Sequence, residues 1–371
     1  MMLPLMVLVL LTGCAGFFVN EGTSTSTSTT TTNSGDYVYA ANPTANTLSG
    51  YVVGTGTLTA VSSVPYTLVS GLAPVSVAVS GKNTFVYVAG NGAIYGYAIG
   101  TGGVLTTVSS GAALALANVT SLTTSPDGNW LLGLDSLSQQ VDEFQISLTT
   151  GLLTSLTPVA YTPAYTGTVV PKMVRFSPAG SLVVAALGTA GDAVFTFNTT
   201  SGLLTYTNSV VESGSTISDN AVAIDSNNLL YVATSGYSSG STTANGVVVY
   251  TLTTAGGIST NRSLVASGAG PASLVLDPAY TYLYTGNRTD QNISEYALSA
   301  GVLTALGGSP VAVGGIVSSM AFDNTGKYVL VGSYGGTTDL ALYSSTSGVL
   351  TNVATALTGT DSTGLLVATT H

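Results

Sequence analysis

The 371-residue chain reads as an all-β protein, a seven-bladed β-propeller built from four-stranded antiparallel blades. Three observations predict it. The phrase SGVLT at Ser347 to Thr351 recurs in variant form, and alignment on its leucine or isoleucine gives seven positions: Leu58, Leu105, Leu153, Leu204, Ile258, Leu303 and Leu350. The intervals are 47, 48, 51, 54, 45 and 47 residues, a period that belongs to propeller blades. The composition agrees, because 45 glycines and only 6% charged residues favour strands and turns over helices rich in Glu, Lys, Arg and Gln.

Each element of a blade is readable in the last unit. Ser319 to Asp323 makes an inner strand, Asn324-Thr-Gly a turn, and Lys327 to Ser333, Asp339 to Ser344 and Val349 to Ala354 three further strands. A glycine stands two places before each phrase leucine: Gly56, Gly103, Gly151, Gly202, Gly256, Gly301 and Gly348. The tight hairpin between third and fourth strands needs a residue tolerant of positive φ. The leucine opens the outer strand and is expected to point into the layer between blades, where burial contributes roughly 1.5–3 kcal/mol per side chain.

The turn between first and second strands also repeats: SGKN at Ser80, SPDG at Ser125, SPAG at Ser177, DSNN at Asp225, DPAY at Asp277 and DNTG at Asp323. There are six such turns, one fewer than the phrases. The first unit begins with a second strand, Asp36-Tyr-Val-Tyr-Ala-Ala-Asn, and the C-terminus leaves a spare strand, Thr363 to Thr369. That final strand is expected to lie innermost in the first blade, closing the ring and protecting its sheet edges.

Residues 1–35 are a separate device. MMLPLMVLVLLTGCAG holds an apolar run, Leu3 to Leu11, too short to span a bilayer and suited to a signal-peptide core, so residues 1–13 read as removable. Leu11-Thr12-Gly13-Cys14 resembles the bacterial lipobox, which implies that Cys14 is lipidated and becomes the mature N-terminus. The other reading is an ordinary signal peptide leaving a free thiol, since no Lys or Arg precedes the run. Residues 14–35 end in GTSTSTSTTTTNSG, a flexible tether of ~50 Å when extended. No aspartate follows Cys14, so the expected address is the cell envelope, as an outer-membrane-anchored lipoprotein or an extracellular protein. Residues 36–371 form the propeller.

Sixteen acidic residues against six basic ones give a net charge of −10, which excludes a phosphate-neutralising surface and argues against nucleic acid. A single cysteine excludes an internal disulfide framework. No cofactor or metal is expected, because Asp142-Glu143 and the loop aspartates lack metal-ligand spacing. A monomer is expected, touching membrane through its lipid anchor alone.

Function is sought where a residue breaks the repeat. Lys82 and Lys327 belong to the repeated turn and read as solvated, and Arg262 reads as surface. Lys172, Arg175 and Arg288 remain. Lys172 enters an inner strand from an inter-blade connection, and Arg288 follows a second strand. Both positions emerge on one face of the disc, so Lys172 and Arg288, with Asn287 and Asp290 adjoining, are the candidate ligand-binding set for an anionic or carbonyl ligand at a channel mouth. The alternative is solvated or paired rim charge, with Asp290 as the partner of Arg288. The ligand is a small molecule, a carbohydrate or a protein. Trp130 reads as blade packing and His371 as a frayed tail.

SPDG after an apolar strand, a Y-V-x-x-N strand and the SG-x-LT hairpin, over seven units, resemble the lactonase-type seven-bladed propellers, the family of bacterial 6-phosphogluconolactonase and the carboxymuconate-cyclising enzymes. The resemblance covers residues 36–371. Leu283-Tyr-Thr-Gly-Asn287-Arg288 is similar to the family's L-Y-V-S-N-R segment, which implies that Arg288 stands at the active-site mouth. The family's Pro-His pairs fall on Pro74-Val75, Pro171-Lys172 and Pro271-Ala272, and its glutamate near Thr234 or Ser235, so neither imidazole nor carboxylate is carried over. The expected function is therefore a tethered binding or interaction module. The alternative is a lactone hydrolase, a carboxylic ester hydrolase using Arg288 and Lys172 as catalytic groups in a degenerate site.

Overall fold

Short apolar runs between Gly, Pro, Asn, Asp and Ser clusters fold as strands because each run is long enough to cross one sheet and no longer. The computed structural model describes residues 35–162, 168–210, 217–239, 242–259, 264–359 and 361–371. The chain divides into Met1–Thr30 and Thr31–His371, and the second unit holds the ring. Cys14, the signal peptide, nearly all of the tether and Arg262 lie outside the described residues.

Among the described residues there are seven antiparallel sheets, each with a four-strand path. Blade 1 runs outward as Leu366–Thr369, Tyr37–Asn42, Thr47–Gly54 and Thr57–Ala60. Blades 2 to 7 begin with Pro74–Val79, Val119–Thr124, Met173–Phe176, Ser218–Ile224, Pro271–Leu276 and Ile316–Phe322, and continue outward in chain order. Each inner strand packs against those of its two neighbours, and the cycle closes from blade 7 to blade 1. In blades 1, 2, 3 and 6 the outer edge resumes after a break as a two-residue strand on the same third strand.

The last strand is innermost in blade 1, in the register Val38↔Thr369 to Ala41↔Leu366. Past the ladder, Tyr37 donates its amide to Thr370 Oγ1 at 2.9 Å and its carbonyl accepts from the Thr370 amide at 3.0 Å. His371 departs from the expectation of a frayed tail. Its amide donates to Asn83 Oδ1 and its carbonyl accepts from Asn83 Nδ2, both at 2.8 Å, so blade 2 clamps the C-terminus of blade 1. The terminal residue is held because a matching amide side chain lies across the seam.

The repeated turns owe their first residue to one bond. Ser80, Ser125, Ser177, Asp277 and Asp323 each accept, through a side-chain oxygen, the amide five places on. Asp225 accepts the amide four places on. The motif is a local cap that starts the second strand.

Among the described residues the core is seven hydrophobic clusters, each spanning one blade interface. Every phrase leucine or isoleucine packs on the cluster shared with the preceding blade. Leu105, Leu204, Leu303 and Leu350 are buried there, whereas Leu58, Leu153 and Ile258 are half-buried at the edge.

All seven phrase glycines have positive φ, from 66° at Gly56 to 83° at Gly348. A second constraint acts on them. A Cβ on Gly348 would lie 2.2 Å from the ring of Tyr282 in blade 6, and one on Gly202 would lie 2.2 Å from Trp130 in blade 3. The glycine's own carbonyl then accepts a tyrosine hydroxyl from the preceding blade: Tyr39 to Gly103 at 2.9 Å, Tyr87 to Gly151 at 3.0 Å and Tyr284 to Gly348 at 2.9 Å. Trp130 plays the equivalent part with Nε1, donating to the Thr199 carbonyl at 3.0 Å. Buried glutamates complete two seams, with Glu295 Oε1 accepting the Leu350 amide at 2.6 Å and Glu143 accepting that of Leu204.

Burial pushes the Glu143 carboxyl up to about 7, and burial with the nearby Asp135 pushes Asp142 up to about 6. Asp36 is raised to about 7 by burial and by the Asp323 carboxylate beside it. All three hold protons in the folded state at pH values where the unfolded chain, with pKa values of about 4, has lost them.

Gly348→Ala should destabilise the fold by roughly 2 kcal/mol or more, from left-handed strain and the clash with Tyr282. Urea unfolding with an unchanged m-value checks this. The raised carboxyls contribute stability that is fully present below about pH 4 and lost as pH rises through about 7. The thermal midpoint should thus be higher at pH 5 than at pH 8, with Glu143→Gln, which keeps the acceptor for Leu204, flattening the slope.

Candidate functional site

The site is set by register. Counting back five places from each turn residue gives Val75, Thr120, Lys172, Asn220, Ala272 and Ser318, and all six line one cavity of about 430 Å³. This is the face on which connections enter the inner strands and on which second strands turn into third. Lys172 is therefore in the mouth because blade 4 places a lysine where its neighbours place smaller or uncharged groups.

Arg288 lines the same cavity from blade 6. Its amide donates to the Gly270 carbonyl at 2.8 Å. Its guanidinium Nε and Nη2 donate to the Tyr334 hydroxyl of blade 7 at 3.0 and 2.5 Å, and Cζ lies 5.4 Å from that ring's centroid. A phenol leaves the arginine's charge uncompensated while fixing its direction. The expected alternative partner is elsewhere: Asp290 Oδ2 accepts the Ala269 amide at 2.7 Å and ties down its own loop. Asn287 is fully buried, with Nδ2 donating to Asn292 Oδ1 at 2.7 Å and Ser294 Oγ at 2.8 Å. Arg288 and Lys172 thus share the cavity, whereas Asn287 and Asp290 shape the loop behind Arg288.

Arg175 is the residue that sequence reasoning left without a role. It lines this cavity and also a second one opening on the opposite face. Val77, Leu122 and Val367 do the same, so these four side chains form the waist of the central shaft. The signal was present in the repeat. Two places before the turn residue the other blades carry Ala78, Thr123, Ala223, Val275 and Ala321, and blade 1 carries Ala368 two places before Thr370, which pairs with Tyr37 as Asp323 pairs with Tyr328. One arginine among such small side chains reaches across the space they leave. Desolvation in the shaft lowers its pKa to about 10, so it stays protonated at neutral pH.

The mouth's hydroxyls are partly committed. Ser76 Oγ accepts the Leu122 amide at 2.9 Å, Ser121 Oγ that of Val174 at 3.2 Å and Ser319 Oγ that of Val367 at 3.3 Å. These bonds tie adjacent inner strands together. Ser235, near the place where the resemblance would put a glutamate, accepts from Asn220 Nδ2 at 3.1 Å. Among the described residues lining this cavity there are three cations, Lys172, Arg175 and Arg288, and no Asp, Glu or His. The arrangement can hold an anion or polarise a carbonyl oxygen. It presents no group of ordinary base strength to activate water.

No curated protein sequence matches the chain. Among solved structures, a candidate 6-phosphogluconolactonase from Bacteroides uniformis superposes with a TM-score of 0.72 at 17% identity, over 89% of this chain and 98% of its own. A candidate 6-phosphogluconolactonase from Bacteroides fragilis gives 0.69 at 16% identity, over 92% and 99%. A periplasmic gluconolactonase from Pseudomonas aeruginosa gives 0.56 at 18% identity, over 72% and 80%. At such identities the likeness is one of fold. The model of the lactonase seven-bladed β-propeller family matches residues 230–364, the stretch that holds Arg288. The ring's topology makes the chain a seven-bladed β-propeller, and its residues 230–364 are similar to the lactonase family of that fold.

Proposed function

We propose that the protein is an exported binding module, tethered to the cell envelope through Cys14, whose mouth at Lys172 and Arg288 holds a small hydroxylated anion of the sugar-acid class. One observation carries this reading. Three of the chain's six basic residues line a single cavity that no acidic residue among the described residues shares, in a molecule of net charge −10. Low-dielectric walls concentrate the field of such a cluster on whatever enters. The surrounding Ser, Thr and Asn groups suit hydroxyls, and a cavity of about 430 Å³ suits a single sugar-sized ligand.

Lactone hydrolysis is the second reading, favoured by the family match and by the names of the similar structures. Lys172, Arg175 and Arg288 are suited to polarise a lactone carbonyl. The missing part is the base: the positions that match the family's imidazoles hold Val75, Lys172 and Ala272, and its carboxylate falls near Thr234 or Ser235. A sugar acid is what a lactone becomes on hydrolysis, so one mouth suits either substrate or product.

Calorimetric titration with gluconate and 6-phosphogluconate should show binding that Arg288→Ala weakens by about tenfold or more, the loss of one charge-assisted hydrogen bond of about 1.5–3 kcal/mol. Turnover of gluconolactone that vanishes in folded Arg288→Ala would instead establish the hydrolase. For the anchor, Cys14→Ser should move the protein from the membrane fraction to the soluble one, and unchanged membrane association would remove the lipid anchor from the account.

A further inference from the structure

Arg175 opens on two cavities, and the reading above uses one. The second lies on the opposite face, among the turns between first and second strands, and holds about 580 Å³, within the range of small-molecule sites. Its wall includes Phe176, Val275, Pro278, Met320 and Phe322. Asp323 also reaches it, but that carboxylate already accepts the Lys327 amide at 2.9 Å, the Tyr328 amide at 2.8 Å and the Thr325 hydroxyl. His371 stands at the rim, its Nε2 3.4 Å from the Val79 carbonyl.

Arg175 is differently placed. A guanidinium carries five N–H donors, and among the described residues its hydrogen bond to protein is one from Nη1 to the Val174 carbonyl at 2.9 Å. Charge with unused donors at the inner end of a largely apolar cavity is a costly arrangement unless a partner arrives. We propose that this second mouth binds an amphipathic organic acid, an apolar body of small-molecule size ending in a single carboxylate or sulfonate. The acid group meets Arg175 at the waist, and the body lies against Phe176, Met320 and Phe322. A neutral apolar ligand would desolvate the guanidinium without replacing its water. A compact polyanion would meet one cation and an oily wall.

The test uses the intact ring and two matched fluorophores, 8-anilinonaphthalene-1-sulfonate and its neutral parent N-phenyl-1-naphthylamine, at pH 7. The sulfonate is expected to bind saturably at one site, at least tenfold tighter than the neutral parent. Arg175→Met should remove that preference while Arg175→Lys restores part of it, and Ala321→Trp should block both dyes. Lys172→Ala and Arg288→Ala should leave sulfonate binding within about twofold, which separates this site from the polar mouth. Equal affinity for the two dyes in the unsubstituted protein, or sulfonate binding unaffected by folded Ala321→Trp, would overturn the proposal even if Arg175→Met failed to fold.

Discussion

The ring depends on the contact between an aromatic side chain of one blade and the hairpin glycine of the next. A blade touches only its two neighbours, so nothing but the seam fixes how far apart blades stand or how they are turned. At most seams an aromatic or leucine side chain opening the second strand lies over that glycine, and at three a tyrosine two places on binds its carbonyl. Apolar burial supplies the attraction and the hydroxyl supplies the angle. Because the geometry repeats, the inner strands converge around one shaft whose lining is set by register alone.

That dependence explains what was legible. A local cap and a local hairpin leave their marks within a few residues, so the turns headed by Ser80 or Asp323 and the phrases headed by Gly56 or Gly348 could be aligned by eye. Strand closure was legible by counting, since a turn was missing at one end and a strand was spare at the other. The phrase glycine was only half understood. Positive φ is a property of the residue itself, whereas the ring of Tyr282 pressing on Gly348 belongs to a contact between different blades.

The site was legible in the same uneven way. Lys172 and Arg288 could be placed on one face because topology decides which loops share a face. What each side chain touches could not be foreseen. Tyr334, which aims Arg288, lies 46 residues away, and Asn83, which holds His371, lies 288 away. Arg175 was visible as an exception only after alignment on the turn residue, with alanine or another small side chain at each equivalent place. Its importance comes from the number of strands converging on the shaft, a property of no single blade.

The closure of the ring also determines how the molecule would bear a load. The strand Tyr37–Asn42 is the first element among the described residues, and it is held on both flanks, by Leu366–Thr369 and by Thr47–Gly54. A pull on residue 35 runs along that strand, across hydrogen bonds that lie perpendicular to it. Both ladders would then have to slip together in shear, and neither can be peeled open one bond at a time. A propeller closed by its own C-terminus is thereby suited to being held by its N-terminus, because the seam that completes the ring is the one that takes the strain.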